Sequence, residues 1–322
     1  MLAELKFVQG AVSNKSFIPA LSHFAIDGGR VRGYNGVVAL CSPIPLDLVC
    51  KPRGEAMVRA IGNCSDDTTT LALTPTGKLS IKSGSFRAFV ECLPADEVTP
   101  HVEPEGEICE INGGALLEAM KVCEPFVGDD ASRPFSNGIL LKGRSAFATN
   151  NITAVEFWIG EHDFPHVVNI PLKCVREMTR IGEPPISAQF APNSVTFHYS
   201  GHRWVRTQLL STEWPDISKI LDRPSNPKEI DPALFPALEK VKHFLNKYGA
   251  VYFHDGHLST EADHTESGAS FDVPGLDYDG IYGHEYLLLL KGAAERIDWS
   301  TYPDPCMFFG PRLRGAIMGK RK

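Results

Sequence analysis

Two periods of apolar and polar residues run through this chain. Over 71–73, 78–82 and 86–93 apolar residues alternate with polar ones, as at Leu79 and Ile81, and Thr74-Pro75-Thr76-Gly77 and Ser83-Gly84 supply the turns. The arrangement returns at 187–190, 194–199 and 203–210, with Val195 and Phe197 alternating and Ala191-Pro192-Asn193 and Ser200-Gly201 as turns. A period of two predicts antiparallel strands with one buried and one wet face. Against this background six stretches predict helices: 5–12, 53–61, 114–126, 172–181, 232–248 and 284–296.

The helices form a pattern of their own. Alternate ones begin about 110–120 residues apart, and the two of a pair about 50–60 residues apart. That spacing predicts a threefold repeat of a β-rich unit with two helices. Polar, proline-bearing stretches at 96–107 (Pro100, Pro104) and 222–229 (Pro224, Pro227) fall where linkers between such units belong. The predicted class is α+β, with three like domains at 1–104, 105–224 and 225–322, each of antiparallel sheets and two helices.

Composition narrows the classes. The 322 residues include 39 Asp and Glu against 32 Lys and Arg, a formal charge of -7, with 43% hydrophobic and 22% charged residues. Those values suit a globular chain and exclude global disorder or a collagen-like fibre. No apolar run reaches the ~18 residues of a membrane span. The opening Met1-Leu2-Ala3-Glu4-Leu5-Lys6 lacks a basic segment followed by an apolar run, so a cytoplasmic protein is expected. Eight dispersed cysteines without a C-x-x-C pair read as reduced structural thiols. Net acidity argues against coating nucleic acid by bulk charge, yet leaves room for a local basic surface.

The cations gather on the helices. Lys173, Arg176 and Arg180 share one face at i, i+3, i+7 spacing. The predicted helix at 232–248 carries Lys240, Lys242 and Lys247 with Glu239 in opposition, and Lys240 and Lys247 share a face. Arg53, Arg59, Lys121, Lys291 and Arg296 add to the set. A solvated helix face is the plain alternative for any one of them. Together they outline a helix-lined basic surface that meets phosphates without reading bases.

At this point the residues resemble a family, the bacterial-type sliding clamp, the beta subunit of replicative DNA polymerase. Leu5-Lys6-Phe7-Val8 followed by Phe17-Ile18-Pro19-Ala20-Leu21-Ser22 resembles the clamp's first helix and its x-I-P-x-L-S strand. Phe89-Val90-Glu91-Cys92-Leu93-Pro94-Ala95-Asp96 resembles a strand ending in L-P-A. Arg133-Pro134-Phe135-Ser136-Asn137-Gly138-Ile139-Leu140-Leu141 is similar to R-P-x-L-N-G-V-L-L, and Ala148-Thr149-Asn150-Asn151 stands where clamps carry A-T-D-G. The most specific local match is Leu209-Leu210-Ser211-Thr212-Glu213-Trp214-Pro215-Asp216-Ile217, similar to L-I-x-G-x-F/Y-P-D-Y. Tyr282-Gly283-His284-Glu285-Tyr286-Leu287-Leu288 and Gly315-Ala316-Ile317-Met318-Gly319 resemble N-x-x-Y-L-L and the terminal Y-x-I-M-P. The order and spacing agree with the threefold repeat. Asn150-Asn151 in place of Asp-Gly, the Gly319-Lys320-Arg321-Lys322 ending and a trimmed third unit are departures, and they suit a phage or mobile-element version.

The resemblance implies a ring of two head-to-tail subunits, helices inside and sheets outside, that encircles double-stranded DNA and tethers the polymerase in a bacterial cell or phage-infected host. It implies no catalysis and no cofactor. The residues expected to face DNA are Lys173, Arg176, Arg180, Lys240, Lys242, Lys247, Lys121, Arg53, Arg59 and Lys291. Polymerase and clamp loader would dock short peptides in a cleft between the second and third domains. By motif position that cleft uses Thr149, Asn151, Ile152, Pro215, Lys219, Ile220, Ala316, Ile317 and Met318. The plain alternative is that Ile220, Ile317 and Met318 are simply core. The subunit seam is expected at Arg87 and Val90 against the partner's third unit near Phe244 and Leu245.

Two other readings compete. His254-Asp255-Gly256-His257 with Asp263-His264 carries ligand-type residues at short spacing, as a metal-dependent hydrolase would, and His162 and His166 form a second pair interrupted by Pro165. No G-x-S-x-G elbow, P-loop or G-x-G-x-x-G is present, Gly113-Gly114 lacks the rest of a phosphate cradle, and nothing marks one cysteine as a nucleophile. The remaining alternative is a ring-forming structural protein that binds no DNA.

Overall fold

The computed structural model describes residues 1–13, 16–66, 68–262 and 267–321. The chain forms two compact units, Met1–Leu117 with Ile170–Leu210, and Glu118–Asn169 with Ser211–Lys322. Among the described residues there are seven α-helices: α1 (Leu2–Gln9), α2 (Gly54–Gly62), α3 (Gly113–Cys123), α4 (Leu172–Ile181), α5 (Ser218–Leu221), α6 (Leu234–Val241) and α7 (His284–Leu288).

The first unit is built on a seven-stranded sheet in the order Ala25–Asp27, Arg30–Tyr34, Val38–Pro43, Arg203–Gln208, Ser194–Tyr199, Ser187–Ala191 and Glu107–Glu110. Two sets of strands distant in sequence fuse at its middle, where Cys41 stands opposite Trp204 and Leu40 opposite Val205. A separate three-stranded sheet holds Thr70–Leu73, Leu79–Ser83 and Phe86–Val90. Helix α1 packs on α2 and on the strands at 30–43, burying Leu5, Phe7 and Val8. The approach is close: a Cβ on Gly33 would stand 3.1 Å from the Ala11 carbonyl, so a larger residue there would require its neighbours to shift by a few tenths of an ångström. Helix α4 buries Cys174, Val175 and Met178 and ends at Gly182, whose φ of 70° gives the left-handed cap that glycine adopts without strain.

The second unit repeats the design. Its eight-stranded sheet runs Val168–Pro171, Gly138–Lys142, Ser145–Thr149, Thr153–Trp158, Leu313–Ile317, Cys306–Gly310, Arg296–Ile297 and Lys228–Glu229. It too is a fusion, with Thr153 opposite Ile317 and Glu156 opposite Arg314. A four-stranded sheet orders Ser270–Asp272, His257–Ser259, Ala250–His254 and Gly280–Gly283. Phe253, Tyr282 and Trp299 pack edge to face or tilted at 5.1–5.2 Å in its core.

Both strand meanders form as the alternation predicts, and α4 spans the predicted 172–181. Two predicted helices are cut short. The one expected over 232–248 stops at Val241 and runs on only as a single 3-10 turn, Lys242–Phe244. Asn246 then accepts a hydrogen bond from the Tyr248 amide at 3.0 Å, and Gly249 takes a φ of 56°, a turn that competes with helix. Lys247 therefore lies outside the helix and not on a face with Lys240. The helix expected over 284–296 ends at Leu288, and Gly292 at a φ of 77° closes the segment. Helix α5 carries too few residues to show a period and was not foreseen.

Candidate functional site

A groove of about 230 Å³ opens in the second unit, and local hydrogen bonding shapes its rim. After the strand Ser145–Thr149 the Asn150 side chain accepts from the amides of Ile152 at 3.1 Å and Thr153 at 2.7 Å. Thr149 Oγ1 donates to the Thr153 carbonyl at 2.7 Å and accepts from the Asn151 amide at 3.0 Å. Asn151 holds a φ of 70°, which asparagine tolerates better than most residues. Asn150-Asn151 thus makes the tight turn with an amide oxygen as acceptor and an asparagine in the left-handed position. The opposite wall is Pro215, Ile217 and Ile220. Asp216 fixes it by accepting from the Ser218 amide at 3.1 Å and hydroxyl at 2.6 Å, bonds that hold its carboxyl below the usual range. Trp214, outside the lining, packs edge-on at 5.6 Å against Phe135, which lines the groove.

Seven of the nine expected cleft residues line the groove: Thr149, Asn151, Ile152, Pro215, Ile220, Ala316 and Met318. Two do not. Ile317 follows Ala316 on a strand, so it points to the opposite face, where it is fully buried core. Lys219 is exposed on α5 outside the lining. Arg133, Phe135, Thr153, Ala154, Ile217 and Pro305 also line the groove and were missed. Arg133 and Phe135 belong to the motif at Arg133–Leu141, and Ile217 lies one turn before Ile220. Pro305 arrives from a loop with no sequence signal.

The expected DNA-facing cations fall in both units. In the first, Arg53 and Arg59 are exposed on or beside α2, with Arg59 paired to Glu55, and Lys173 and Arg176 are exposed on α4. Arg180 is otherwise engaged. Its guanidinium donates to Glu177 at 2.7 Å and to the carbonyls of Lys6 at 3.0 Å and Phe7 at 2.7 Å, closing the C-terminal end of α1. In the second unit Lys121 is exposed on α3. Glu239 draws Lys242 to 3.8 Å and Lys291 to 3.5 Å. Lys240 sits 4.7 Å over the Phe271 ring and Lys247 4.9 Å over Tyr248.

At the expected seam, Arg87 is exposed on Phe86–Val90, the last strand of its sheet, but Val90 is 3% exposed and packs inward. The outward apolar residue there is Phe89, 59% exposed. Phe244 is exposed and Leu245 half-buried.

The metal-hydrolase reading finds no support. His254 Nδ1 meets Asp279 at 2.7 Å and His257 Nδ1 meets Asp272 at 2.8 Å, and all four side chains are exposed. No group of three or more His, Cys, Asp or Glu suited to a metal occurs among the described residues, and Asp263 and His264 lie outside them. His162 and His166 are exposed on an irregular stretch. Burial pushes the Cys41 thiol up to about 11 and Cys50 to about 12, the wrong direction for a nucleophile. No helix among the described residues is long and apolar enough to cross a membrane.

No protein-family model matches this chain, and no curated protein matches it. Solved structures do. The DNA polymerase III subunit beta from Pseudomonas aeruginosa superposes at a TM-score of 0.80 with 19% identity. The beta subunit of Streptococcus pyogenes DNA polymerase gives 0.80 with 20%, and the Bacillus subtilis DNA polymerase sliding clamp 0.82 with 16%. Each comparison covers 100% of this chain and 97% of the other. Over its full length, the chain has the fold of the bacterial DNA polymerase sliding clamps.

Proposed function

We propose that the protein is a DNA sliding clamp, a non-enzymatic tether that encircles duplex DNA and holds a replicative polymerase on it. The observation that carries this reading is the pattern of fused and unfused sheets. In each large sheet the third strand of one set meets the last strand of another, Val38–Pro43 against Arg203–Gln208 and Thr153–Trp158 against Leu313–Ile317. Two smaller sheets are left over. Their corresponding strands, Ser270–Asp272 and Phe86–Val90, have no neighbour on their outer sides among the described residues.

The same antiparallel fusion between two copies, Phe86–Val90 of one against Ser270–Asp272 of the other, would pair these two edge strands and close a head-to-tail dimer. Arg87 and the exposed Phe89 would lie on that seam. Phe244 and Leu245 would flank it, because α6 packs against Ser270–Asp272. The division into domains 1–104, 105–224 and 225–322 follows from the same logic, each domain lending half-sheets to two different sheets.

Within such a ring Lys173, Arg176, Arg53, Arg59, Lys121, Lys240, Lys242, Lys247 and Lys291 would meet phosphates loosely, many already sharing a carboxylate or ring. That suits sliding: weak, screened contacts hold no fixed register, and topology keeps the protein on DNA. The groove at Thr149, Ile152, Pro215, Ile220 and Met318 would take a short apolar peptide of the polymerase or loader.

The test loads the protein onto a nicked circular plasmid with a clamp loader and follows retention by gel filtration. A clamp stays on the circle and leaves when the plasmid is linearised. Equal loss from both forms, or no gain in polymerase product length, would leave a ring-forming structural protein as the better reading.

A further inference from the structure

A second concavity of about 980 Å³ in the same unit shares no lining residue with the groove, and the C-terminal tail runs between the two. Met318 lines the groove, whereas Lys320 and Arg321 line the cavity. The tail is firmly placed. The Met318 amide donates to the Ile152 carbonyl at 2.8 Å and the Lys320 amide to that of Ile281 at 2.7 Å. The Tyr302 hydroxyl donates to the Lys320 carbonyl and the Lys320 ammonium to the Tyr248 carbonyl, both at 2.7 Å. A Cβ on Gly319 would stand 2.6 Å from the Tyr302 ring, so glycine lets the tail lie this close.

The cavity has an aromatic lining and a cationic mouth. Tyr248, Tyr252, Phe253 and Tyr302 line it, and Tyr248 is 68% exposed. Lys247 stands over the Tyr248 ring, and Lys320 and Arg321 follow along the tail. The carboxylate at the cavity, Asp279, is met by His254. In a chain of net charge -7, Lys320 and Arg321 lining a cavity beside tyrosine rings favour an anion carried next to a bulky apolar group.

We propose that this cavity receives an acidic segment of the same partner peptide whose apolar residues fill the groove. A bulky side chain rests on the tyrosines, and its carboxylates meet Lys247, Lys320 and Arg321. The proposal rests on the groove being a peptide site. Continuity along one tail favours a peptide over a nucleic-acid strand, because the groove is lined mainly by apolar and uncharged residues with a single cation, Arg133, and offers no track for a phosphate backbone.

A random peptide library displayed on phage and selected against the whole protein supplies the probe, and a fluorescent copy of the most enriched peptide is titrated by anisotropy. Enriched peptides should join an apolar motif to Asp or Glu on one flank. Arg321→Glu and Tyr248→Ala, both surface changes, should each weaken binding about three- to tenfold, and Ile220→Asp should abolish it. Affinities unchanged in Arg321→Glu and Tyr248→Ala but lost in Ile220→Asp would leave the groove standing and overturn the acidic segment. Peptides indifferent to Ile220→Asp would remove the groove and the proposal with it. Fluorescent oligothymidylate bound by the wild type and released by Arg321→Glu, with peptide affinity unmoved, would assign the cavity to nucleic acid instead.

Discussion

Glu156 and Arg314 stand opposite each other on the line where two sets of strands fuse into one sheet, and their side chains meet there at 2.6 Å. Glu156 also accepts from Ser145 at 2.7 Å, and Arg314 donates to Asp222 at 2.8 Å. Burial opposes the charge on Arg314, but the two carboxylates outweigh it and hold its pKa above the ordinary value. Glu156→Gln takes one of them away. We expect a loss of about 1–2 kcal/mol, read as a lower denaturant midpoint at unchanged slope. An unmoved midpoint would show that solvent already screens the pair.

Arg180 and Lys173 share a helix but not their surroundings, for Arg180 bonds to α1 and Lys173 is exposed. Arg180→Met leaves two carbonyls at the end of α1 without their donor, so stability should fall by about 1 kcal/mol while retention on circular DNA keeps its salt dependence. Lys173→Glu should leave the denaturation curve in place, weaken the hold on DNA and make its loss with salt less steep. The reverse assignment of effects would contradict the separation drawn from the structure.

Phe89→Asp puts a charge on the outward side of the free edge strand. The half-sheet logic predicts monomers by sedimentation velocity at concentrations where the wild type is dimeric, with an unchanged circular dichroism spectrum. A dimer that survives this change would place the seam elsewhere.

His198 is partly buried, and burial lowers its pKa below 6.5. The unfolded chain therefore takes up a proton that the native state resists. This contribution to stability is complete above about pH 6.5 and is lost as pH falls toward the lower folded value. His198→Gln should flatten that part of the decline, measured as denaturant midpoints from about pH 7.5 to pH 5.5. Parallel curves for the two proteins would show that the native and unfolded states protonate His198 alike.

Much of the groove was legible in the sequence because its residues sit on short local motifs. Thr149-Asn150-Asn151-Ile152 builds one wall by bonds between near neighbours, and Pro215 with Ile220 builds the other. Ile317 was misplaced because a motif records which residues recur, whereas strand alternation decides which face each one takes. Val90 was expected on the outer side, and the same alternation turns it inward and Phe89 outward. Lys247 was assigned to a helix that a side-chain-to-backbone turn at Asn246 ends early.

By itself the sequence determined the alternation of both strand meanders and the extent of α4, since each depends on residues a few positions apart. Only the tertiary structure decided which strands fuse, for Thr153 finds Ile317 and Cys41 finds Trp204 through hydrogen bonds that any backbone can make. Among the described residues those fusions leave Phe86–Val90 and Ser270–Asp272 as edge strands of the two smaller sheets. The tertiary structure also decided where Arg180 is held, because it meets α1 across 173 and 174 residues of chain and a cap of that span leaves no local pattern to read.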